Sequence, residues 1–161
     1  MSNHQTLMVI GSLFILSTLI LSFYETNTTQ LLSSTDNEAI MAATGIAQSV
    51  LDEIQTRSFD EFTITKPTTS IDSLTSAYML GPESGETGPT QFDDVDDFNG
   101  YSDNNSTTRL GNYSIAVDVG YVTFANPSAF TNTRTFTKRI NIKVYGQYMS
   151  DTLSMSHIIA Y

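Results

Sequence analysis

The chain has no cysteine and only two histidines, His4 and His157, among its 161 residues. Zinc sites of the Cys/His type, thiolate nucleophiles, thioether-linked haem and disulfides are thereby excluded or nearly so. Basic residues are scarce as well. Seven Lys+Arg stand against seventeen Asp+Glu, a formal charge of −10. A surface that acidic repels phosphate backbones, so nucleic acid is not an expected partner. There is no Gly-x-Ser-x-Gly, no phosphate loop and no His-Glu-x-x-His. His157 alternates with Met155 and Ile159 as a packed strand residue does, so no enzyme is expected. Charged residues make up only 15% of the chain, while Ser and Thr number 42. That balance is unusual for a cytosolic enzyme. The length leaves room for one domain and one long appendage.

What the chain does have is an apolar run. Leu7 to Tyr24 reads LMVIGSLFILSTLILSFY without a charge, enough at 1.5 Å per residue to cross roughly 27 Å of hydrocarbon as a helix. Residues Met1 to Thr6 lack the basic residues of a secretory signal, and no small-x-small cleavage site follows at Ser22-Phe23-Tyr24. The first Lys or Arg is Arg57, so positive charge does not set the orientation. The short polar N-terminus leaves the larger remainder to lie outside. A second helical pattern follows. Thr35 with Glu38 three residues on makes a capping-box arrangement where a helix could restart. Ile40, Ala43, Ala47, Val50 and Ile54 are spaced 3, 4, 3 and 4, on one face of a helix. Joined, the two stretches predict a helix from about Thr6 to Arg57, roughly 75–80 Å long. The run Thr26 to Thr29 is its weak point, where poor propensity favours a kink or melted turn.

After Phe59-Asp60-Glu61 comes a connecting loop of about fifty residues, marked by Gly81-Pro82, Gly85, Gly88-Pro89 and Asn99-Gly100, with Ser76 to Leu80 as a short strand or turn inside it. From Asn112 the period becomes two. Ile115, Val117, Val119 and Tyr121 face one way, and a second strand over Phe136 to Tyr145 sets Ile140, Ile142 and Val144 against Arg139, Asn141 and Lys143. Leu153 to Tyr161 makes a third. Turns at Asn126-Pro127 and Gly146 to Asp151 connect them as an antiparallel meander. The amphipathic helix covers one face, which predicts an α+β fold: a long N-terminal helix with an antiparallel sheet head. The expected divisions are residues 1–24 (apolar helix), 25–61 (amphipathic continuation), 62–111 (acidic loop) and 112–161 (sheet).

Three stretches carry a family resemblance: Gln5 to Gly11 (QTLMVIG), Ile46 to Glu61 (IAQSVLDEIQTRSFDE) and Phe92 to Tyr101 (FDDVDDFNGY). With this layout the chain resembles type IV pilins and the pseudopilins of type II secretion. The last two stretches are similar to segments of prepilin-type proteins of the mannose-sensitive haemagglutinin pilus and of minor pseudopilins. The strands Arg139 to Tyr145 and Leu153 to Ala160 resemble their closing hairpin. Where the family has Gly before the prepilin-peptidase cut, then Phe and, further on, Glu, this chain has His4, Gln5 and Val9. These departures weigh against removal of a leader, and the expectation is an uncut N-terminus. A filament centre without that Glu would rest on apolar helix packing alone.

The resemblance implies a structural subunit of an extracellular filament, at the cell surface. Its partners would be copies of itself in a helical homopolymer and, before assembly, the inner membrane and the pilus assembly machinery. The alternatives are a minor or tip pseudopilin of a secretion system and a single-span, membrane-anchored extracytoplasmic binding module. The expected filament core is Leu7, Val9, Ile10, Gly11, Leu13, Phe14, Leu16, Leu19, Ile20 and Phe23, with Gly11, Ser12, Ser17, Thr18 and Ser22 small enough for close helix approach. Residues 1–105 hold fifteen acids and two bases, and 106–161 two acids and five bases (−13 and +3). Arg134, Lys138, Arg139 and Lys143 could thus meet an acidic loop of the next subunit, or that of their own chain. No cofactor is required. Calcium is the one candidate, at Asp93, Asp94, Asp96, Asp97, Asn99 and Asp103, since it takes six to eight oxygens from such loops and some pseudopilins hold it there. A solvated acidic turn is the other reading. Asn27, Asn104, Asn105 and Asn112 each begin an Asn-x-Ser/Thr sequon, a candidate glycan site.

Overall fold

A single helix, α1, runs over Asn3–Gln55 in a computed structural model that describes residues 3–161. No break or restart occurs at Thr35. Its hydroxyl donates to the Leu31 carbonyl one turn back instead of capping a new helix. The weak run Thr26–Thr29 is helical for the same reason. The side chains of Thr26, Asn27, Thr28 and Thr29 each donate to the carbonyl four residues earlier, at 2.8–2.9 Å. Back-bonding of this kind lets a poor helix former stay in the helix without an unpaired polar group. The fold is α+β, as the periodicities predict: this helix and a five-stranded antiparallel sheet. Its contacts divide the chain into two units, Met1–Glu38 and Ala39–Tyr161.

The first unit is helix alone, and every described residue from Asn3 to Ser34 is exposed. The stretch is long and apolar enough to cross a membrane by length and composition. The expectation of an uncut N-terminus falls on Met1, outside the described residues.

The second unit is the head. Ala39, Ala43, Ala47, Leu51 and Ile54 are buried against the sheet, at a spacing of 4, 4, 4 and 3. Ile40 and Val50, expected on the covered face, sit at its half-buried margins. Three alanines at the centre let the helix backbone approach the sheet closely. The sheet runs β1 (Ser102–Thr107), β2 (Gly111–Thr123), β4 (Thr137–Gly146) and β5 (Leu153–Ala160), in that spatial order, with β3 (Asn126–Phe130) paired to the far end of β2. Ile115 pairs with Val144, Val117 with Ile142 and Val119 with Ile140, so both inward-facing rows lie under α1. The segment 62–111 is more ordered than a loop: a short helix α2 (Glu61–Thr65) opens it, and two 3₁₀ turns (Ile71–Ser73 and Asp96–Phe98) and β1 lie within it. Of the two readings of Ser76 to Leu80, strand or turn, it is the turn that forms, with Met79 N donating to Ser76 O. Asn126-Pro127 opens β3 rather than making only a turn, an edge position where proline is tolerated.

Gly146 lies opposite Tyr113 in the β2–β4 register. A Cβ there would fall 2.5 Å from Tyr113 Cε1, and the ring is wholly buried. Gly146→Ala is therefore expected to destabilise the head by about 1–3 kcal/mol through overpacking. Gly88→Ala, with open space around it, should change the urea midpoint little.

Candidate functional site

In the first unit the apolar side chains have no cover. Leu7, Val9, Ile10, Leu13, Phe14, Leu16, Leu19, Ile20 and Phe23, all expected in a filament core, are exposed, as are Leu31 and Leu32 beyond them. At Gly11 an added Cβ would meet nothing within the chain. The hydroxyls among them need no water. Ser12, Ser17 and Thr18 donate to the carbonyls of Val9, Phe14 and Ile15. Leu7 to Tyr24 thus exposes apolar side chains, with the hydroxyls of Ser12, Ser17 and Thr18 satisfied within the helix, as suits a helix in lipid or among other apolar helices.

The head carries a different feature, a buried charge cluster. Asp60 ends the strand-like Ser58–Phe59 segment and caps α2, its carboxylate accepting from the Phe62 amide while Thr63 returns a bond to the Asp60 backbone. The same carboxylate accepts from the amide and hydroxyl of Thr75. The Tyr121 hydroxyl lies 3.0 Å from Asp60 Oδ2. Lys138 reaches this point from β4. Its Nζ donates to Phe59 O at 2.7 Å, Asp60 Oδ2 at 3.0 Å and Asp96 Oδ1 at 2.5 Å, so each of its three protons has an acceptor. The ammonium also stands 4.6 Å from the Phe59 ring centroid. Neither Lys138 nor Asp60 exposes any surface.

Lys138 is therefore not available to a neighbouring subunit, and that expectation is corrected. It belongs to the inward row of β4 two residues before Ile140, and it meets the acidic segment of its own chain. Arg139 donates to the Pro127 and Ser128 carbonyls and lies over the Phe130 ring. Lys143 is exposed and pairs with Asp118 across the sheet at 3.2 Å. Arg134 borders a groove with Glu61, Asp72 and Glu83. The exposed Lys143–Asp118 pair contributes at most about 1 kcal/mol.

Burial works to raise the Asp60 carboxyl, but the Lys138 ammonium and the bonds from Thr75 and Tyr121 outweigh it, and the net shift is downward. A carboxyl held below its unfolded value of about 3.9 adds stability above that pH and loses it as pH falls through the folded value. Wild-type stability should fall away below about pH 4. Asp60→Asn should be weaker at neutral pH with a flatter acid limb, which urea unfolding followed by circular dichroism across that range will read. Asp96 shifts the other way, because burial outweighs Lys138. Asp94, buried beside Asp96, is pushed well up by burial and then by that neighbour's charge.

The acidic segment itself is a tight turn tied to the end of α1. Ser58 N donates to Asp93 O and Val95 N to Ser58 O. Asp94 Oδ1 accepts from the amides of Asp96 and Asp97, and Asp97 Oδ2 from those of Asp93 and Asp94. Asn99 bridges outward, donating to Leu80 O and accepting from Val119 N. Of the six residues considered for calcium, Asp94, Asp96 and Asn99 are thus committed within the head. Asp93 is exposed, and Asp103 stands on β1 accepting from the Asn104 amide. Asp97 is the exception. Its carboxylate converges with those of Glu83 and Glu86, ligand oxygens within 4.8 Å of one another. Those two glutamates come from a turn in which Glu83 N donates to Glu86 Oε2. Burial and the Asp97 carboxylate push Glu83 up to about 8. Neither glutamate stands out in the sequence, since they lie 14 and 11 residues before Asp97, outside the run of aspartates.

The four sequon asparagines are exposed, Asn27 on α1 and the others on β1 and β2. Asn27 donates to Phe23 O, and Asn104 accepts from Ser114. The geometry defines an α+β protein with a long, uncovered apolar N-terminal helix and an antiparallel sheet head. Compared with family models, curated proteins and solved structures, the chain matches none.

Proposed function

We propose that the protein is a structural subunit of an extracellular, type IV pilin-like filament, held in a membrane before assembly and packed through its N-terminal helices afterwards. One observation carries the reading: a helix whose first half exposes apolar residues on all sides, while its second half supplies the core of a folded head. An apolar surface of that extent is not left to water. Lipid and a bundle of like helices are equivalent environments for it, so transfer from one to the other costs little, which suits a polymer drawn from a membrane reservoir. The layout is also the one that the resemblance to pilins and pseudopilins implies. Its partners are further copies of the chain, and it acts without catalysis.

Cryo-electron microscopy of material sheared from producing cells tests this. Thin helical filaments with this chain as the repeating unit are expected. A protein found only as monomers in the membrane fraction would replace the reading with a single-span anchored module.

A further inference from the structure

We propose that Lys138 and Asp96 become joined by an amide bond between Nζ and Cγ, formed within the folded head with the Asp60 carboxylate as base, whether or not the protein polymerises. Three observations stand behind it. The first is contact. Lys138 Nζ lies 2.5 Å from Asp96 Oδ1 and 3.0 Å from Asp60 Oδ2, so one nitrogen touches two carboxyl groups. The carboxyl carbon of Asp96 is one bond beyond Oδ1, and reacting atoms held about 3–3.5 Å apart are in near-attack range. The second is exclusion of water. Lys138 and Asp60 have no exposed surface and Asp96 only 2%, while the rings of Phe59 and Tyr121 stand 4.6 and 5.2 Å from the ammonium. In bulk water solvation favours the two ions over the amide. Here both ions have lost that solvation, and the water that the reaction releases passes to bulk solvent.

The third observation is that the two aspartates are held differently. Asp60 accepts from the amides of Phe62 and Thr75 and from the hydroxyls of Thr75 and Tyr121, which hold it as an anion. Burial pushes the Asp96 carboxyl up in spite of Lys138. Asp94, pushed up to about 9 by burial and then by the charge of Asp96, keeps its proton at neutral pH and hydrogen-bonds to that neighbour. Asp96 is therefore the carboxyl suited to be acylating and Asp60 the one suited to be base. The ion pair is the state from which the bond forms. Its ammonium passes one proton to Asp96, leaving a neutral amine beside a neutral acid. The Nζ lone pair then bonds to Cγ as the carbonyl electron pair moves onto oxygen, which accepts from Asp94. Asp60 takes a second proton from nitrogen and hands it to the departing hydroxyl. Water leaves, the carbonyl re-forms, and one N–H remains on the amide.

The consequence is a covalent tie between β4 and the Asp96–Phe98 turn, 42 positions apart. Intact-mass spectrometry of the full-length protein, purified in detergent and then denatured, should read one water less than the sequence mass. Trypsin, blocked at Lys138, should leave Thr135–Arg139 attached to the peptide that holds Asp96, and a second cut at Glu83 or Glu86 separates Asp96 from Asp60. Lys138→Met and Asp96→Ala should each show their full mass. Asp60→Asn should lose water at least about 100-fold more slowly than wild type, as loss of a general base predicts. Wild-type protein of full mass would overturn the bond, as would water lost equally from wild type and Lys138→Met. A cross-link mapped to Asp60 would overturn the choice of Asp96, and an unslowed Asp60→Asn the role of Asp60.

Discussion

Replacing Lys138 by methionine is expected to cost the head about 3–5 kcal/mol, because it leaves the carboxylates of Asp60 and Asp96 buried without their shared cation. Domains of this size hold only about 5–15 kcal/mol in total, so the variant would be partly unfolded near physiological temperature. The loss has a specific anatomy. Lys138 Nζ is the point where β4, the end of the Ser58–Phe59 segment and the Asp96–Phe98 turn meet, bridging residues 78 and 42 positions apart in sequence. Without it Asp60 still caps α2 and accepts from Thr75, but its charge has no counterpart. Lys138→Met with Asp60→Asn and Asp96→Asn, which removes all three charges together, should recover a large share of the loss, since a buried ion pair is often no better than neutral groups of similar volume. Urea unfolding of the full chain in detergent reads both effects. A single variant as stable as wild type would mean that the cluster is hydrated and not buried as described.

The second large effect concerns the other unit. Leu16→Lys with Ile20→Lys places two ammonium groups one turn apart on the exposed apolar helix, at a cost near 2.5–3.5 kcal/mol each at the centre of a bilayer. Together they should lower membrane partition by about four orders of magnitude and abolish filaments. The head should keep its melting temperature, because its core begins at Ala39. Sedimentation of membranes, filament yield and the near-ultraviolet melt separate the two outcomes. Undiminished filaments would remove this helix from the subunit contacts.

Much of the fold was legible because its signals are local. The uncharged run from Leu7 and the one-face spacing of Ala43, Ala47 and Ile54 predict the helix. The period-two rows of β2, β4 and β5 predict the sheet and its inward face. Two strands carry no period-two signal, for physical reasons. β1 reads Ser-Asp-Asn-Asn-Ser-Thr, polar at every position and exposed almost throughout, so only its pairing with β2 makes it a strand. β3 opens on Asn126-Pro127, a turn signal that a sheet edge also accepts. Lys138 is legible in the period-two pattern: continuing the inward row Val144, Ile142, Ile140 by one more step lands on it.

By itself, then, the sequence determined what short-range period and composition dictate: an apolar helix with nothing in its own chain to cover it, and an antiparallel sheet with one apolar face. Tertiary structure decided which charges are spent. From Phe92-Asp-Asp-Val-Asp-Asp-Phe no spacing rule tells Asp96, held by Lys138, from Asp94 and Asp97, each held by two backbone amides, or tells Asp97, whose carboxylate converges with those of Glu83 and Glu86, from Asp94. That division depends on desolvation and on partners tens of residues away, which exist only once the turn is folded against β4 and the end of α1.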